Sequence, residues 1–354
     1  MNYIGSKYTL LPFLEKVFRS VCDGSEKVFC DIFAGTGAVS RHFKGLGLRV
    51  IANDIQHYAY ALNKAYVEIN HTPSFSTLRK EYKASFSMRS RKDGNTAQDI
   101  LLFINSLPGV EGFITQNYSP VGGRMYYTKE NAERADAIRQ AIKTWKETKI
   151  ISEREYFYLL CSLLEAIDRV ANTASVYGAY LKHFKASARR SLQMRPLELK
   201  NHVNGCRALC RDANELISQI KCDVLYLDPP YNHRQYGANY HVLETIAAYD
   251  NPELKGVTGM RDYFRSSYCR RKSAHAAMED LVRKARTKHI FVSYNDEGMM
   301  SLGEIREILS LRGKPRTFQI KYNRFKADNG REYKRNSTIE YVHYVKVERP
   351  ASES

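Results

Sequence analysis

Residues 28 to 44 constrain the fold of this chain most tightly. Val28-Phe29-Cys30-Asp31-Ile32-Phe33 is a short apolar run of β-favouring residues, Ala34-Gly35-Thr36-Gly37 follows at once, and Ala38 to Lys44 reads as a helix. Strand, glycine turn and helix in that order form an α/β unit. Gly35 and Gly37 let the backbone come close to a ligand in the crevice beyond the carboxyl end of a parallel strand. The next strand, Leu48 to Ala52, ends in Asn53-Asp54, where a carboxylate can accept hydrogen bonds from both ribose hydroxyls of an adenosine-containing cofactor. The full dinucleotide fingerprint wants a third glycine where Ser40 stands, which weakens a nicotinamide reading.

A second string carries the chemistry. Asp223-Val-Leu-Tyr-Leu-Asp-Pro-Pro-Tyr231 is an apolar strand running into Asp228-Pro229-Pro230-Tyr231. The exocyclic amino nitrogen of a base is a poor nucleophile because its lone pair is delocalised into the ring. An enzyme that alkylates it must hold it between acceptors that favour a pyramidal geometry. Asp228 supplies one acceptor and the Pro229 carbonyl another, while two successive prolines fix φ and remove competing N–H groups. Tyr231 can stack on the base. The plain alternative is a strand ending in an ordinary turn, since Asp and Pro are both turn formers.

Charge points the same way. The 354 residues carry 55 Lys and Arg against 38 Asp and Glu, a net +17, which suits a polyanionic partner such as nucleic acid. Lys7, Pro12, Glu15 and Lys16 interrupt the early apolar residues, and no run has the length of a membrane span. The expectation is a soluble, intracellular protein. Seven cysteines form no Cys-x-x-Cys pair and lack zinc-type histidine spacing, so free thiols and no metal are expected, with Cys206 and Cys210 packing on a helix face.

Four strings in order, Asn2-Tyr3-Ile4-Gly5-Ser6-Lys7, Asp31 to Gly37, Asn53-Asp54-Ile55 and Asp228 to Tyr231, resemble the adenine-specific DNA methyltransferases of the class containing the Dam methylases. Asn232-His233-Arg234-Gln235-Tyr236 and Asn239 to Thr245 are similar to the methyltransferases that accompany certain type II and type IIS restriction enzymes. The resemblance covers roughly 1–74 and 205–347. It implies a Rossmann-like S-adenosylmethionine-dependent methyltransferase fold, with a catalytic domain at 1–74 and 205–349 and a mostly helical insertion at 75–204 that recognises DNA. It implies S-adenosylmethionine as cofactor, held by Tyr3, Lys7, Asp31, Phe33, Gly35, Gly37, Asp54 and Asp228. Asp31 would bind the methionine ammonium and Asp212 the cofactor adenine, although an aspartate there reads equally well as a helix cap. Double-stranded DNA is the implied substrate, with one adenine flipped out of the stack. A cognate restriction endonuclease acting separately and a short site such as CATG belong to the same resemblance. Cytosine N4 is the weaker choice of base. An RNA adenine methyltransferase and an inactive DNA-binding protein of the same fold are the alternatives.

Elsewhere the pattern is plainer. Ala135, Ile138, Ile142 and Trp145 mark one face of an amphipathic helix, and Tyr156, Leu160, Leu163, Ile167 and Val170 mark a second, more buried one. Basic runs at Arg79, Lys80, Lys83, Arg89, Arg91 and Lys92, at Lys182, Lys185, Arg189, Arg190 and Arg195, and from Arg265 through Arg270 and Arg271 to Lys272 are candidates for phosphate contact, as is Arg234. His289 to Tyr294, Thr317 to Tyr322 and Ile339 to Val347 read as strands. Asp328-Asn329-Gly330 is a turn between the last two, and the alternation in Ile339 to Val345 suits a partly exposed strand.

Overall fold

The computed structural model describes residues 5–83, 96–199, 203–323 and 337–348; Tyr3, Arg89, Arg91, Lys92 and the expected turn at Asp328-Asn329-Gly330 lie outside the described residues. The chain forms two compact units. One comprises Ile4–Asn63, Val203–Gly237 and Phe264–Ser354, and the other Met1–Tyr3, Lys64–His202 and Ala238–Tyr263. The second unit is larger than the stretch 75–204 expected from sequence, because it starts at Lys64 and takes in 238–263.

The first unit is built on a seven-stranded sheet of order β3-β2-β1-β4-β5-β7-β6. Its strands are β1 (Val28–Asp31), β2 (Arg49–Asn53), β3 (Arg207–Leu209), β4 (Val224–Leu227), β5 (His289–Asn295), β6 (Arg316–Asn323) and β7 (Ser337–Lys346). The first five run parallel, while β7 is antiparallel to both β5 and β6. This is the Rossmann-like arrangement expected, closed at one edge by an antiparallel pair. All residues of β1, β4 and β5 are buried, as strands covered on both faces must be. The two-residue period then sorts them. Val28, Cys30, Leu225 and Leu227 join Met278, Leu281, Ile305 and Ile308 in one core, with the helices Arg271–Lys284 and Leu302–Ser310 as its cover. Phe29 points the other way and stacks on Phe43 of the helix Ala38–Gly45, with ring centroids 4.0 Å apart.

Two expectations are corrected here. Glu340 to Val345 of β7 are buried throughout rather than alternately exposed, because β7 lies between β5 and β6 instead of at an edge. Cys206 and Cys210 flank β3 and share no helix: the Cys206 sulfur accepts from Val50 N at 3.3 Å, and the Cys210 thiol donates to the Ile55 carbonyl at 3.6 Å. Polar residues in and around a three-residue strand hid it from sequence reading.

The helical unit centres on Lys129–Glu147 and Glu153–Arg169. Ala135, Ile138, Ile142 and Trp145 are buried along the first, and Tyr156, Leu160, Leu163 and Ile167 along the second. Ser152 and Glu155 form a reciprocal capping box that starts the second helix. No helix among the described residues is long and apolar enough to cross a membrane. Between Val170 and Leu199 the chain has no regular element, yet three side-chain amides fix it. Asn131 donates to the carbonyls of Ala188 and Arg190 and accepts from Leu192 N, Asn105 pairs both ways with the Met194 backbone, and Asn172 donates to Leu181 O and accepts from Lys185 N.

Candidate active site

The catalytic candidates converge where the strand order reverses. β1 and β4 are parallel neighbours with Asp31 opposite Tyr226, so the glycine turn after β1 and Asp228 after β4 leave the same carboxyl edge of the sheet. Ligands of open α/β sheets bind at such a switch point.

On the β1 side, Asp31 is buried. Its Oδ2 accepts from Ser40 Oγ at 2.8 Å, while Oδ1 is buried without a hydrogen-bond partner. Burial pushes the Asp31 carboxyl up to about 7, the Ser40 hydrogen bond opposing and the charges of Asp228 and Asp54 adding to the rise. Asp54 and Asn63 grip the glycine turn from two sides. Gly35 N donates to Asp54 Oδ2 at 2.8 Å, and Asn63 Nδ2 donates to Gly35 O at 2.9 Å. Gly37 has φ +78°, and a Cβ there would stand 2.5 Å from Asn63 Oδ1, so the position demands glycine. Asn53 ties the neighbouring loops together, donating to the carbonyls of Ile32 and Arg211 and accepting from Arg211 N. Phe33 packs edge-on against Tyr268 at 5.0 Å, and Tyr268 donates to Asn214. Asp212 caps the short helix Ala213–Leu216, accepting from the backbone of Asn214 and Glu215.

On the β4 side stands a buried ionic triad. Lys7 Nζ lies 3.1 Å from Asp228 Oδ1 and 2.8 Å from Glu340 Oε1, with side-chain exposures of 5 %, 16 % and 2 % respectively. Burial alone would depress the Lys7 ammonium, but Asp228 and Glu340 outweigh it and hold it well above the usual lysine range. Burial pushes Asp228 up to about 6, with Lys7 opposing and Glu340 adding. Tyr231 is half-buried and meets Tyr294 edge-on at 6.2 Å; Lys7 Nζ is 5.6 Å from the Tyr231 ring centre, and Met299 N donates to the Tyr231 carbonyl. Gly5 holds φ +78° and sits so close to the Tyr236 hydroxyl that a Cβ would lie 2.8 Å from it. Gly5 is thereby seated against Tyr236, in the segment that follows Tyr231.

The DNA candidates sort by exposure. Arg234, Arg270 and Arg271 are exposed on the sheet unit, and Gln235 pins the Arg234 loop by accepting from Ser266 N at 2.9 Å. In the helical unit Lys182, Arg189 and Arg190 are exposed, whereas Lys185 turns its ammonium onto the Thr173 carbonyl at 2.6 Å.

Sequence reading missed Ser40, Asn63 and Glu340. Ser40 was visible only as a departure from a glycine fingerprint. Glu340 had one signal, as the sole acid in the run Ile339 to Val345. The fold also brings Cys22, Glu26 and His289 together, their ligand atoms within 4.8 Å of one another, which residue spacing did not foresee. Glu26 there bonds His289 Nε2 at 3.1 Å and accepts from Gly24 N, and His289 Nδ1 meets the Tyr344 hydroxyl at 2.9 Å, so two of the three members are already engaged.

Comparison with known proteins agrees with this geometry. Residues 3–308 match the family of D12 class N6 adenine-specific DNA methyltransferases. The chain is 45 % identical over 98 % of its length to the type II methyltransferase M.NlaIII of Neisseria lactamica, spanning 99 % of that protein. It is 39 % identical over 98 % of its length to M.FokI of Planomicrobium okeanokoites, of which it spans 52 %. It is 34 % identical to M.CviAII of Paramecium bursaria Chlorella virus 1, with 98 % and 99 % of the two chains covered. The chain thus belongs to the D12 class of N6 adenine-specific DNA methyltransferases.

Proposed function

We propose that this enzyme modifies adenine N6 at one short duplex site, as the methylating partner of a type II restriction endonuclease in the cytoplasm of a prokaryotic or phage-infected cell. The observation that carries the reading is the pairing of a buried, unsatisfied Asp31 oxygen with Asp228 at adjacent strand ends. S-adenosylmethionine fits the β1 side, because the buried Asp31 Oδ1 lacks, among the described residues, a partner that an ammonium would supply. The cofactor supplies an electrophilic methyl group on sulfonium. Asp31 holds its ammonium, Asp54 its ribose, and the Phe33 and Asp212 loops its adenine, with Gly35 and Gly37 allowing the approach and Tyr3 adding a contact. Lys7 serves the other side, where it orients Asp228.

The flipped adenine stacks on Tyr231, held by the rigid Pro229-Pro230 turn. Asp228 and the Pro229 carbonyl accept the N6 hydrogens and stabilise the positive charge that develops on that nitrogen. With its carboxyl at about 6, Asp228 is also suited to hold the proton that N6 releases. Arg234, Arg270, Arg271, Lys182, Arg189 and Arg190 contact phosphates and set the register of the duplex, while Lys185 shapes the loop that carries its neighbours. CATG is the first site to test.

Labelled methyl incorporation into unmethylated duplex DNA and into structured RNA tests this function. DNA labelling at adenine N6 is expected; labelling confined to RNA would overturn it.

A further inference from the structure

We propose that Glu340 is a positioning residue for methyl transfer, drawing the Lys7 ammonium away from Asp228 so that the Asp228 carboxylate remains an acceptor for the target amino group. The inference rests on the role assigned above to Asp228. Lys7 Nζ is nearer Glu340 (2.8 Å) than Asp228 (3.1 Å), although Asp228 is the acid at the strand end. Glu340 is itself fixed: its Oε1 accepts from Ser293 Oγ at 2.9 Å, and its backbone stands opposite Asn295 of β5 and Ile320 of β6. It lies in the middle of the sheet, 2 % exposed, with no freedom to follow Lys7 if the lysine moved toward Asp228.

Charge explains why two acids are needed. Lys7 with Asp228 alone is a closed, neutral pair whose acceptor is already engaged. Lys7 with both acids leaves one net negative charge, in a site where positive charge develops on the amino nitrogen during transfer. Stability does not account for the arrangement, since buried ionic groups are commonly matched or exceeded by apolar side chains of the same volume. Among the described residues the groups facing Asp228 are Lys7 from the N-terminal segment, Glu340 from β7, Asp31 from β1 and Tyr226 from its own strand, while Tyr231 of its turn faces Lys7. Among them Lys7 and Glu340 act on the Asp228 carboxyl in opposite directions.

That opposition gives a test. Full-length enzyme is assayed on unmethylated duplex DNA with labelled S-adenosylmethionine across a pH series. Glu340→Gln should lower kcat on the order of 10- to 100-fold and move the acid limb of the kcat profile down by about one unit. Cofactor affinity should stay unchanged. Lys7→Gln should move the same limb up. An unmoved limb in Glu340→Gln, shifts of the same sign in both variants, or a kcat loss matched by lost cofactor binding would overturn the proposal. Should Glu340→Gln fail to fold, Glu340→Asp keeps the charge; its limb should stay at the wild-type position with kcat reduced, and a displaced limb would count against the role. Wild-type enzyme that leaves DNA unlabelled defeats the proposed function and this inference together, whereas labelled DNA with an unmoved limb defeats the inference alone.

Discussion

Asp228 and Asp31 are the residues on which the site turns, and both are carboxyls that burial makes harder to ionise. The sign of the consequence is direct. In the proposed mechanism ionised Asp228 is the stronger acceptor for N6 and the form able to take up its proton, so kcat should rise as pH passes through about 6 and then level off; a single-turnover pH series with saturating DNA and cofactor reads this, and a kcat flat from pH 5 to pH 8 would refute it. Asp31 titrates higher, at about 7, and Ser40 is what keeps it from rising further. Ser40→Ala should therefore weaken S-adenosylmethionine binding about tenfold at neutral pH, for the loss of one hydrogen bond to a charged group. The deficit should shrink at pH 9, where Asp31 is ionised with or without Ser40; a deficit constant with pH would mean that Ser40 acts otherwise. Asp31, Asp54 and Asp228 were legible in the sequence because each sits at the end of its own apolar run, with a glycine turn soon after Asp31 and two prolines directly after Asp228. Glu340 was not, because its partners Lys7 and Ser293 are distant in the chain and only the β5–β7 pairing brings them together.

Elements divide the same way. β1, β4 and β5 could be read because strands buried on both faces are continuous apolar runs, and β2 by its apolar Val50-Ile51-Ala52. β3, three residues long with an exposed Arg207, offers no such pattern. The stretch from Val170 to Leu199 is the hardest case, since its order comes from Asn105 and Asn131 on helices elsewhere in the unit and from its own Asn172. Asn131 is the chief of these, and Asn131→Ala leaves the carbonyls of Ala188 and Arg190 without their donor. The expected cost is roughly 2–6 kcal/mol of stability at about 1–3 per unsatisfied buried group, read by urea unfolding; a loss below about 0.5 kcal/mol, the size of an ordinary surface change, would show that the amide does not hold the loop. The same loop presents Arg189 and Arg190 outward. Replacing either with alanine should weaken binding about equally for cognate and unrelated duplexes and reduce the slope of log K against log salt by about one. A slope unchanged in both variants would remove this loop from the DNA surface.

For the whole molecule, a net charge of +17 and a sheet that brings a cofactor-type turn beside an amino-methylating turn lead to one activity. The fold and the family were legible because the strings that carry them are local. The extent of the helical unit was not, because Ala238–Tyr263 joins it from beyond the Asp228 turn, a return that no local pattern announces. The most direct test is to express the wild-type chain and its Asp228→Ala variant in a methylation-free host and map modified bases in the recovered DNA. The wild type should place N6-methyladenine at one short motif throughout the genome, and the variant should place none. Modified cytosine, no modified base, or equal adenine methylation from the variant would contradict the account.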